Sequence, residues 1–113
     1  MDKFETEDYQ IWYESDKATW FFQGILRLEG MGEYQIIMQA LLKTLDDQPE
    51  FILNLESLEF LNSSGISMLS MFVVKVREKK TVQLTLKGSS KILWQTKSLR
   101  NLQRLMPSLI LEL

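Results

Sequence analysis

Halfway along the chain, Phe51-Ile52-Leu53-Asn54-Leu55 is a short, almost wholly apolar run set between two stretches of helical spacing. A run of that length and composition reads as a central strand covered on both faces. Before it, Tyr34, Ile37, Met38, Leu41 and Leu45 recur at helical intervals and predict a helix from about Glu33 to Asp46, ended by Asp47-Gln48-Pro49. After it, Ile66, Leu69, Val73 and Val76 mark the core face of a helix from Ser63 or Ser64 to about Lys79, with Phe72 at its margin. A buried strand between two helices commits the chain to crossover connections, and so to a largely parallel sheet.

The flanking segments extend that pattern. Tyr9, Ile11 and Tyr13 alternate as a strand, Ser15-Asp16-Lys17 turns, and Trp20, Phe22, Leu26 and Leu28 share one parity over a second strand from Ala18 to Leu28. Gly24 interrupts that strand, where a bulge or close packing is expected. Gly30-Met31-Gly32 then breaks the chain. Val82 to Leu86 reads as a further strand, and Ser89 or Ser90 caps a helix over Lys91 to Lys97 that continues after a kink at Ser98. Pro107 stops it, and Leu109 to Leu113 reads as a last strand. The expected fold class is α/β: a mixed, mostly parallel β-sheet with helices packed against it. Residues 1–7 are expected to be a flexible N-terminus, and 8–113 a single domain.

With 45% apolar and 25% charged residues, the composition is that of an ordinary globular domain. The absence of cysteine removes disulfides, thiolate metal sites and cysteine nucleophiles. The absence of histidine also removes serine–histidine hydrolysis and histidine metal ligation. No phosphate-binding glycine loop is present. Neither catalysis nor a metal or cofactor is therefore expected. The acidic start is unlike a secretory signal, and no apolar run approaches the roughly 20 residues of a membrane helix. A cytoplasmic protein without membrane insertion is the expectation.

Charge is unevenly placed. Residues 1–61 hold 4 Lys/Arg against 13 Asp/Glu, a net of −9, whereas 62–113 hold 9 against 2, a net of +7. No aromatic-interleaved basic stripe accompanies the basic half, so direct nucleic-acid binding is not expected. The two halves instead give one domain a dipolar, self-complementary surface, which leaves a homodimer open. Trp12, Trp20 and Trp94 sit at strand or helix parity and read as core, and Lys75, Arg77, Lys79 and Lys80 as a solvated helix end.

The most informative stretch is Asn54-Leu55-Glu56-Ser57-Leu58-Glu59-Phe60-Leu61-Asn62-Ser63-Ser64-Gly65. A strand ends at Leu55, a loop follows, and a helix opens near Asn62. Asn62 or Ser63 can accept hydrogen bonds from the first-turn amides, and Gly65 lets another group approach the backbone. Either these residues merely cap the helix, or the helix start also stabilises a phosphate on a nearby serine, adding about −1.5 to −2 charges at one spot.

This unit resembles that of the STAS domain family, typified by bacterial anti-sigma-factor antagonists. There, an apolar strand and short loop lead to Asp-Ser-Ser-Gly and an apolar helix; Phe60-Leu61-Asn62-Ser63-Ser64-Gly65-Ile66 stands at that place here. The approach through Asn54, Leu55, Glu56, Leu58 and Phe60, the glycine at 24 and the element order are similar over nearly the whole chain. The resemblance implies a partner switch. The first serine of the motif, Ser63, would be phosphorylated by a histidine-kinase-like ATPase that doubles as anti-sigma factor, with Asn62, Ser64 and Gly65 as neighbours of the phosphosite. The unphosphorylated protein would bind that partner, and phosphate would prevent binding. Asn62 departs from the usual Asp, keeping its shape and capping oxygen without its charge. No C-terminal helix of the kind many members carry follows the last expected strand.

At 100° per residue, Met68, Met71 and Lys75 fall roughly opposite the Ile66–Leu69–Val73–Val76 face, with Ser64 on their side. Exposed methionines beside the motif suit an adaptable docking surface, or are covered by a second layer, a homodimer contact or the loop before the helix. Three readings follow: an antagonist-like regulator switched at Ser63; a non-switching STAS scaffold or transporter-associated subunit using the same helix; and a small enzyme or nucleotide-binding protein.

Overall fold

The computed structural model describes residues 3–46 and 48–113. In chain order the elements are β1 (Lys3–Glu5), β2 (Tyr9–Glu14), a 3-10 turn (Ser15–Lys17), β3 (Thr19–Leu26), α1 (Gly30–Leu45), β4 (Glu50–Leu61), α2 (Ser63–Lys79), β5 (Gln83–Lys87), α3 (Leu93–Leu105) and β6 (Ile110–Glu112). The six strands lie side by side in their sequence order. β1, β2 and β3 form an antiparallel meander, and β3 to β6 pair in parallel. The architecture is therefore a mixed, mostly parallel α/β sheet of STAS-like type.

Because each strand is laid down beside its predecessor in one direction, right-handed crossovers place all three helices on the same face. Trp20, Leu53 and Leu86 stand in register on that face, and all three are fully buried. α2 packs between α1 and α3. The expectation that Phe51–Leu55 is covered on both faces is thus corrected: Phe51, Leu53 and Leu55 are buried, whereas Ile52 and Asn54 are only half-buried on the uncovered side.

Other boundaries also move. Lys3–Glu5, expected to be loose, pairs with β2; Met1 and Asp2 lie outside the described residues. α1 starts at Gly30 rather than Glu33, because the Glu33 carboxylate accepts the Glu29 amide and secures a first turn containing two glycines. α1 ends at Leu45, and Asp47, placed in the helix stop, lies outside the described residues. α3 is one helix with no break at Ser98. Ser89 accepts from the Lys91 amide in the turn before it, while Ile92 holds the cap position. Gly24 marks an irregularity in the β3–β4 register at φ +92°, and any Cβ there would strike the Asp8 carbonyl, which accepts from the Ile25 amide at 2.8 Å.

Candidate functional site

The loop expected from Glu56 to Leu61 is strand. β4 continues beside β3, with Gln23 opposite Ser57, Gly24 opposite Leu58 and Leu26 opposite Leu61. The chain therefore enters α2 directly from the carboxyl end of a central strand, where the ends of parallel strands meet the starts of their helices.

Asn62 is the N-cap of α2. Its Oδ1 accepts from the Gly65 amide at 3.1 Å and from the Tyr34 hydroxyl at 2.5 Å, and its Nδ2 donates to the Leu28 carbonyl at 2.8 Å. The Tyr34 hydroxyl also accepts from the Leu28 amide at 3.3 Å. Burial is the main cause that raises the Tyr34 hydroxyl above the ordinary tyrosine pKa, so it stays protonated and able to donate. One side chain thus ties the α2 start to the β3–α1 connection and, through Tyr34, to α1. An aspartate at 62 could accept the same two bonds but could not donate to Leu28 when ionised.

Gly65 is buried in this corner. A Cβ there would collide with the Leu61 side chain and lie 2.8 Å from the Tyr34 hydroxyl. The group that approaches the Gly65 backbone is therefore part of the protein's own packing. Ser63, by contrast, is exposed, and Ser64 is half-buried beside it. The first turn of α2, Ser63-Ser64-Gly65-Ile66, contains no acid. Its dipole and amides favour an anion there, with no acid in the turn itself to oppose it.

From Ser63 an exposed stripe runs along α2 through Ser67 to Met71, which is 44% exposed. Met71 opens onto a shallow groove of about 390 Å³ shared with Ser70, Val74, Lys75, Glu78 and Leu105 of α3. Met71 and Lys75 thus lie together on the outer surface. Met68 does not: it is fully buried in the core. The buried arc of α2 is centred near Phe72 and Val76, because this helix has a neighbour on each flank. A wider arc takes in Met68 and brings Phe72 from the margin to complete burial.

One residue of this region, Gln95, escaped the sequence reading. β5 pairs only with residues 50–54 of β4, so later β4 carbonyls on that side need other donors. Gln95, fully buried, donates to the Leu55 carbonyl at 2.6 Å and the Leu58 carbonyl at 3.0 Å, and accepts from the Ser89 amide at 2.7 Å. The Trp94 indole N–H adds a 3.1 Å bond to Leu58. Tyr34 read only as a core position, with no sign of its bond to Asn62.

A hollow of about 670 Å³ lies at the opposite end of α2, between Leu45, Pro49, Lys79 and Val82. Among the described residues there is no grouping of three or more carboxylates suited to a metal, and no helix is long and apolar enough to cross a membrane.

The arrangement of sheet, helices and α2 start defines a STAS-like fold class. A solved structure with the same arrangement is SiaC of Pseudomonas aeruginosa, similar at a TM-score of 0.73 over 100% of this chain and 98% of that one, with 15% sequence identity. At that identity the likeness establishes the fold. No protein-family model matches the chain, and no curated protein matches it.

Proposed function

We propose that this chain is a regulatory protein-binding module that resembles an anti-sigma-factor antagonist and acts by docking rather than catalysis. Its partner is a histidine-kinase-like ATPase that serves as serine kinase and anti-sigma factor, met in the cytoplasm, and the switch is phosphorylation of Ser63. The observation that carries this reading is the contrast at the α2 start. Asn62 and Gly65 are held by internal contacts, while the adjacent Ser63 hydroxyl is exposed on an acid-free helix turn. A kinase can reach that hydroxyl without disturbing the cap. The added charge would be tolerated by the helix dipole, yet would sit at one end of the Ser63–Ser67–Met71 stripe, where a partner must be desolvated to bind.

Phosphopeptide mass spectrometry on the protein isolated from its native cells tests the switch. Phosphate on Ser63 is the expected result. Phosphate on Ser64 alone, or none across growth and stress conditions, contradicts it.

The groove beside Met71 favours a second reading: a non-switching STAS scaffold or transporter-associated subunit. In that case Met71→Glu abolishes association, and changes at Ser63 are nearly silent.

A further inference from the structure

We propose that the uncovered face of the sheet is where two copies of this chain pair, face to face, about a two-fold axis running along the strands between β3 and β4. One row of side chains crosses that face through every strand: Lys3, Trp12, Phe21, Asn54, Lys87 and Glu112, each opposite the next in the strand register. None of the six is buried. Trp12 and Phe21 stack at 5.1 Å between ring centroids, forming an aromatic platform that no helix covers.

Reversed about the proposed axis, the row is its own complement. Lys3 of one copy meets Glu112 of the other, Lys87 meets the Trp12 ring, and Phe21 meets the stem of Asn54. The first pair is an ion pair and the second a cation–π contact. In the adjacent row, where Thr19 is buried within its own chain, Glu14 of one copy meets Thr85 of the other, again without like charges in opposition. A partner of unrelated sequence would not require the order of charges on one edge to mirror that on the other; a second copy does.

Size and availability agree with that occupant. Six strands of 3 to 12 residues, rising about 3.3 Å per residue and spaced about 4.8 Å apart, give a face of roughly 600 Å², at the lower end of the roughly 600–1,000 Å² per partner of a standard interface. Two such faces stack aligned at about −30°. Among the described residues, Lys3 makes an exposed 3.6 Å pair with Glu5, which costs little to exchange.

Light scattering coupled to size-exclusion chromatography, run on the full chain across a concentration series, tests the pairing. The expected mass is twice the 13.3 kDa of the chain. Lys3→Glu and Glu112→Lys each weaken self-association about tenfold or more, the combined charge swap restores it, and Phe21→Glu abolishes it. Circular dichroism identifies any variant that fails to fold, and the rescue by the double swap does not depend on Phe21. A monomeric wild type overturns the proposal. So does a dimer that a folded Phe21→Glu leaves intact, or one that the double swap fails to restore.

Discussion

The Tyr34 hydroxyl donates to the Asn62 side-chain oxygen across 28 residues of sequence, fastening the cap of α2 to the second turn of α1. The bond is part-buried, and the tyrosine is fully buried. Tyr34→Phe should therefore lower stability by about 1 kcal/mol in chemical denaturation. Alkaline pH should act in the same sense. Tyr9, Tyr13 and Tyr34 all have hydroxyls raised above the ordinary value of 10.0, with desolvation the leading cause in each. A raised pKa contributes stability that is complete below the unfolded value and is lost as pH climbs through the folded one. Stability should fall above about pH 10, less steeply in Tyr34→Phe than in the wild type.

Gly65→Ala places a methyl group against Leu61 and the Tyr34 hydroxyl. Alanine normally favours a helix by about 1 kcal/mol over glycine. Here the overpacking should prevail, with a net loss of about 1–3 kcal/mol. A thermal melt equal to or above the wild type would show that this corner is looser than described.

The two methionines of α2 should separate cleanly. Met68→Glu buries a carboxylate in the core and should lower stability by about 3 kcal/mol or more. Met71→Glu changes an exposed position and should stay within about 0.5 kcal/mol of the wild type. Urea unfolding of both variants checks this, and Met71→Glu is then the usable probe of docking.

Gln95→Leu keeps the approximate volume but removes the donor to the Leu55 and Leu58 carbonyls and the acceptor for Ser89. The expected cost is about 2–3 kcal/mol, from carbonyls left without their partner. Faster amide exchange around Glu56–Leu58, measured by mass spectrometry, should accompany it.

These variants also mark what the sequence could and could not convey. Element order was legible because each strand and helix carries its own periodicity, as in Tyr34–Leu45 and Phe51–Leu55. The one-sided cover of the sheet was not, because it follows from strand order, which single-segment patterns do not contain. Met68 was misplaced for a related reason: periodicity gives the direction of a buried face, whereas its width depends on neighbours. At the site, Asn62 was legible as a cap from its residue type and position. Its bonds to Tyr34 and Leu28, and those of Gln95 to β4, join residues 28 to 40 apart and leave no local trace. The strand from Glu56 to Leu61 was hidden by a register irregularity that breaks its alternation.

The most direct test of the proposed switch is quantitative capture of the native partner by wild-type, Ser63→Ala and Ser63→Glu proteins, each first shown to be folded. If Ser63 is the switch, Ser63→Ala retains the partner as the wild type does, and Ser63→Glu loses it by about tenfold or more. Equal capture by Ser63→Ala and Ser63→Glu would contradict the account.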